Sequence, residues 1–119
     1  MDIDLTPLHS HVAKQIDITN YYTIPESFFG TTGVKKLENI KVDGYVYLSP
    51  SEDDLEEEVD SINCKVEGNM VIEDSISLEP IEYPFSIEYD DIIEENCKKN
   101  ENTLDIFSFL WENIVLEVP

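Results

Sequence analysis

The chain has 119 residues, of which 27 are acidic and seven are lysine, with no arginine, for a net charge of −20. That length is one domain's worth, able to bury a core without covalent staples, and the 41% apolar content argues against wholesale disorder. The balance of charge disfavours direct tight binding to nucleic acid, which draws its affinity from Lys and Arg contacts to phosphate, and disfavours anionic membrane surfaces for the same reason.

No apolar run is long enough to cross a bilayer, and Met1 to Thr6 carries two aspartates where a signal peptide needs basic residues. Cys64 and Cys97 are too few for a disulfide framework and read as reduced thiols of a cytoplasmic protein. A basic protein partner is favoured by a complementary field; the same charge also serves solubility alone.

Along the chain, Ile3, Leu5 and Leu8 predict a first strand, and Ile16, Ile18, Tyr21, Tyr22 and Ile24 a second extended segment. Pro25 to Phe29 predicts a single helical turn, because proline suits the first helical position; the Gly30-Thr-Thr-Gly33 run breaks it. From Asn39 the period becomes two. Ile40, Val42, Val46 and Leu48 alternate with Lys41, Asp43, Tyr45 and Tyr47 around Gly44, which is the pattern of a half-buried strand. A further strand runs from Ile62 through Cys64, Val66, Met70 and Ile72, with Gly68 marking a bulge or bend. Ile81, Tyr83, Phe85, Ile87 and Tyr89 form the next, at a sheet edge or joining late, since Pro84 cannot donate to a ladder. Asp90 to Asn102 reads as a polar connection with a helical start near Asp91–Glu95. Thr103 then caps an amphipathic helix over 103–115, its stripe made by Leu104, Phe107, Leu110, Trp111 and Ile114. The sum is α+β: an antiparallel β-sheet of consecutive strands packed by a C-terminal helix.

Several motifs bear on chemistry. Glu52 to Asp60 places seven acids in nine residues between two strands. Such a run is a solvated, self-repelling loop or a docking strip for a basic segment, the second reading resting on Asp53, Asp54, Glu56, Glu57 and Glu58. It is no EF-hand, lacking the glycine and the ligand spacing. His9 and His11 would share a face on a strand, but with no third ligand nearby they read as surface histidines on a loosely held segment. Tyr45 and Tyr47, opposite the valine face, are either exposed for a partner or packed under a second element. No nucleophile elbow and no phosphate loop is present, so no catalytic residue, cofactor or metal is expected.

Lys41-Val42-Asp43-Gly44-Tyr45-Val46, Val66-Glu67-Gly68-Asn69-Met70-Val71-Ile72, Tyr83-Pro84-Phe85 and the closing Glu112-Asn113-Ile114-Val115-Leu116-Glu117-Val118-Pro119 follow in an order that resembles the YceD/YlbN family, associated with accumulation of large-subunit ribosomal RNA. The resemblance implies a single YceD-like domain over residues 1–119, with Gly44, Gly68, Glu112, Asn113, Leu116 and Pro119 as its signature positions. It also implies a non-enzymatic role in ribosome assembly, with a ribosomal protein as one basic partner that would fit. The family's Cys-x-Arg-Cys is replaced here by Asp74-Ser75-Ile76-Ser77, and the cysteine-containing tail of many members is missing, so no metal or redox role carries over. Two other readings stand beside this one: a small carboxylate-based enzyme, and an acidic mimic of nucleic acid that inhibits a nucleic-acid-binding protein.

Overall fold

The computed structural model describes residues 2–30, 32–74 and 76–119; Met1, Thr31 and Ser75, the last within the 74–77 stretch, lie outside it. The architecture is α+β, drawn out to 55 × 27 × 22 Å by three long strands: β4 (Val34–Pro50), β5 (Glu58–Glu73) and β6 (Pro80–Ile92). All pair antiparallel, and β6 is the edge strand, as Pro84 requires. Along the other edge of β4 run two short strands, β2 (Gln15–Asp17) and β3 (Asn20–Tyr22). Between them the chain stays on β4: the Ile18 N–H donates to the Gly44 carbonyl at 3.0 Å, and the Gly44 N–H donates to Thr19 Oγ1 at 3.1 Å.

A smaller sheet joins the chain ends. β1 (Asp2–Asp4) pairs β8 (Thr103–Asp105), which pairs β7 (Lys98–Asn100). Between β1 and β2 lies one helical turn, α1 (Thr6–His9), with Pro7 in its first turn; the expected strand through Leu8 therefore ends at Asp4. Glu26–Phe28 forms a single 3-10 turn, with Pro25 just outside it as the cap. The polar connection after Ile92 is more ordered than its composition announces: a 3-10 turn at Glu95–Cys97 leads into β7.

The C-terminal helix α2 spans Ile106–Ile114, two residues later than Thr103 capping would place it. Asp105 is the cap: its carboxylate accepts from the Ser108 N–H at 3.3 Å and from the Ser108 hydroxyl at 2.8 Å. Pairing with β1 recruits Thr103 and Leu104 into a strand and resets the helical phase. The buried face is Ile106, Phe109, Leu110 and Ile114, while Phe107 and Trp111 ride on the flank, Trp111 against the Phe29 ring at 5.5 Å. Leu104 is buried from β8 instead.

One face of the large sheet is the core. Val42, Val46, Ile62, Cys64, Val66 and Met70 all sit on it, and Phe109 meets Tyr89 edge-on at 5.0 Å. Gly68 marks an irregularity, but on the neighbouring strand. The register shifts between Glu38 and Lys41, where Asn39 takes φ +54°, and Gly68 faces the displaced Ile40. A Cβ on Gly68 would lie 2.5 Å from Ile40 Cδ1 and 3.0 Å from the Phe85 ring. At Gly44 a Cβ would collide with the Asn63 carbonyl and the Cys64 backbone. The two signature glycines are thus close-packing positions within the sheet.

Candidate functional site

The β4–β5 hairpin divides the acidic run. Glu52 to Glu57 lie in the connection and are exposed, while Glu58 and Asp60 belong to β5. Strand register then decides their fates. Asp60 pairs with Leu48 on the core face and is 7% exposed; it is no part of a docking strip. His9 Nε2 lies 2.6 Å from its Oδ1, and Lys98 Nζ donates to its Oδ2 at 2.7 Å. Glu58 stays at the surface, 3.3 Å from His11 Nε2. Glu52, Asp53, Asp54, Glu56 and Glu57 form no ion pair with a cation among the described residues.

His9 is therefore held firmly, against the expectation of a loose surface histidine. α1 positions it, and its Nδ1 meets Asn102 Oδ1 at 2.7 Å. With the Asn102 oxygen turned toward the ring, both nitrogens face acceptors, an arrangement that favours the imidazolium, in which both donate. Partial burial opposes the charge, but the Asn102 and Asp60 hydrogen bonds and the Asp60 charge outweigh it, so the pKa is raised. The pair had no sequence signal, because Asp60 lies 51 residues away.

These groups line a cleft of about 450 Å³ between α1, the hairpin base and β7, with Ile92 and Ile93 contributing apolar wall and Glu56, Glu95 and Glu101 its acidic rim. Among its described lining residues there is no hydroxyl or thiol nucleophile, and His9 has no free nitrogen to act as a base. Chemically the cleft is a braced acidic mouth. No cluster of His, Cys, Asp and Glu with metal-binding geometry occurs among the described residues. No helix among them is long and apolar enough to cross a membrane.

Tyr45 and Tyr47 lie on the face away from the core, half-buried, with rings 5.6 Å apart. The Tyr47 hydroxyl donates to Asp90 Oδ1 at 2.8 Å, which raises its pKa, so one of the two polar handles is already engaged. Tyr47 and Tyr45 pair across the sheet with Gln15 and Asp17 of β2.

Of the C-terminal positions that carry the family resemblance, Glu112 and Asn113 have structural roles. Glu112 ties α2 to the 95–97 turn, accepting from Asn96 Nδ2 at 2.6 Å and from Cys97 Sγ at 3.2 Å. Asn113 Nδ2 donates to the Phe109 carbonyl one turn back, at 2.9 Å. Leu116 is 80% exposed, and Pro119 lies exposed beyond the last 3-10 turn. Burial pushes the Cys64 thiol up to about 11; burial and then the Glu112 carboxylate push Cys97 up to about 12, so neither is a thiolate near neutrality.

Fold and site together define an elongated, acidic α+β domain with a charged hairpin at one end. Comparison with family models, curated proteins and solved structures gave no match for the chain.

Proposed function

We propose that this protein is a non-enzymatic cytoplasmic factor supporting large-subunit ribosomal RNA accumulation, and that it acts by holding a basic protein partner, a ribosomal protein being the class that fits. The process comes from the resemblance of the sequence blocks to the YceD/YlbN family. The mode comes from one observation: Glu52, Asp53, Asp54, Glu56 and Glu57 stand exposed with no cation paired to them among the described residues, beside Glu58 and the acidic rim of the cleft. Unpaired surface acids project a field that speeds encounter with a positive surface. Tyr45 and Tyr47 offer amphipathic contact area on the open sheet face. The commitment of both His9 nitrogens favours a binding role over acid–base chemistry.

Two measurements test the reading. Removing the protein from its host should lower large-subunit ribosomal RNA relative to small-subunit RNA; an unchanged ratio removes the process. Stopped-flow association with purified basic large-subunit ribosomal proteins should slow as salt rises and the Debye length falls from about 10 Å at 0.1 M to about 3 Å at 1 M. Changing Asp53, Asp54, Glu56, Glu57 and Glu58 to Asn or Gln should slow association and flatten that salt dependence. Tight, salt-sensitive binding to bare ribosomal RNA would replace the protein-contact mode with a direct one.

A further inference from the structure

The outer edge of β6 is the longest open feature of the fold. β6 runs for 13 residues and pairs with β5 throughout, and among the described residues no strand covers its other side. Pro84 fixes which groups face outward. A proline sits within a ladder only where the missing N–H would point away from the neighbour. Residues alternate along a strand, so Glu82, Ser86, Glu88 and Asp90, which share the parity of Pro84, turn their N–H and C=O groups to the open side.

The side chains sort by the same parity. Glu82, Ser86, Glu88 and Asp90 are exposed on the face away from the core. Ile81 and Tyr83 lie on the core face, opposite Ile72 and Met70, and remain 42% and 37% exposed. Glu82, Glu88 and Asp90 make no ion pair among the described residues; Lys65, cross-strand from Glu88, is engaged by Glu67 at 2.9 Å. The edge thus presents unpaired backbone groups flanked by apolar side chains on one face and acids on the other.

We propose that β6 is a strand-addition edge that accepts an extended protein segment alternating basic and apolar residues. The inference rests on the reading that the partner is basic, and it names how that partner is gripped. An added strand would set its apolar residues beside Ile81, Tyr83 and Ile87 and its basic residues beside Glu82, Glu88 and Asp90. A second copy of the chain is the wrong occupant. Two β6 edges would bring like acids together between molecules that each carry −20. The charges that guard the edge against its own kind select a strand of opposite sign.

The test uses the full chain and two fluorescent peptides of about ten residues, within ordinary strand length. One alternates lysine and valine; the other has the same composition in two blocks. The alternating peptide should bind about tenfold tighter than the block peptide, and Ser86→Pro, which removes one outward N–H and leaves the β5 ladder intact, should weaken it about tenfold. In the wild-type protein the bound peptide should slow amide exchange at Glu82, Ser86, Glu88 and Asp90. That measurement stands even where the proline variant fails to fold. Equal affinity for the two peptides, no binding of either, or unprotected outward amides would overturn strand addition. The basic-partner reading would then be decided separately, by the on-rates of the loop-neutralised protein with ribosomal proteins. A dimer in sedimentation that Ser86→Pro abolishes would overturn the choice of occupant.

Discussion

Asp60 and the acids of 52–57 belong to one run in the sequence, yet they occupy opposite electrostatic worlds. Asp60 is almost wholly enclosed and meets the His9 ring and the Lys98 ammonium, at 2.6 and 2.7 Å. Glu52 to Glu57 stand exposed, their acids without an ion pair among the described residues. The boundary between the two is strand register: β5 turns Asp60 to the core face opposite Leu48, while the hairpin connection leaves the others with no cation beside them among the described residues. In a chain this acidic, a carboxylate becomes structural where burial makes its partners indispensable. Elsewhere its contribution is to the long-range field.

The largest effect is expected from removing the enclosed charge. Asp60→Ala leaves His9 and Lys98 facing each other without their shared anion, and should cost about 3–5 kcal/mol of folding stability, the range for breaking a buried pair from one side. Denaturant unfolding measures it. A cost below about 1 kcal/mol, the ordinary value of an exposed pair, would erase the distinction between the two regions.

A smaller effect sharpens the comparison through pH. The folded pKa of His9 is raised above its unfolded value of about 6.5, so protonation favours the folded state. Its contribution is fully present below about 6.5 and is lost as pH rises through the folded value. The groups facing the ring are Asp60, Asn102 and Lys98. His9→Gln should abolish this component, measured as the difference between wild-type and variant denaturant midpoints from about pH 5.5 to about pH 8. Subtraction cancels the general relief of −20 on acidification. A difference that does not change with pH would show that the ring holds Asp60 as a neutral donor.

The smallest effect on stability is expected where the charge is densest. Neutralising Asp53, Asp54, Glu56, Glu57 and Glu58 together should move stability by no more than roughly 0.5 kcal/mol, because surface changes away from buried networks are usually that small. A loss of several kcal/mol would give the hairpin acids a role in the fold.

The amino-acid order by itself determined the class of fold. Period-two alternation in β4, β5 and β6 announces strands with one buried face, and Pro84 announces the edge, because both follow from local backbone geometry. The charge of −20 and the lack of arginine likewise set the character of the surface before any folding. The tertiary structure alone decided what depends on distant partners. The helix begins at Ile106 because β1 captures Thr103 and Leu104, a pairing across the whole chain that no window around Thr103 contains. The bulge appears opposite Gly68 because space there is shared between Ile40 and Phe85. His9 and Asp60, 51 residues apart, become a braced ion pair through the docking of α1 against the hairpin base. Local pattern specifies which residues seek burial; long-range pairing specifies whom they meet there, and in this protein that separates a structural carboxylate from a surface one.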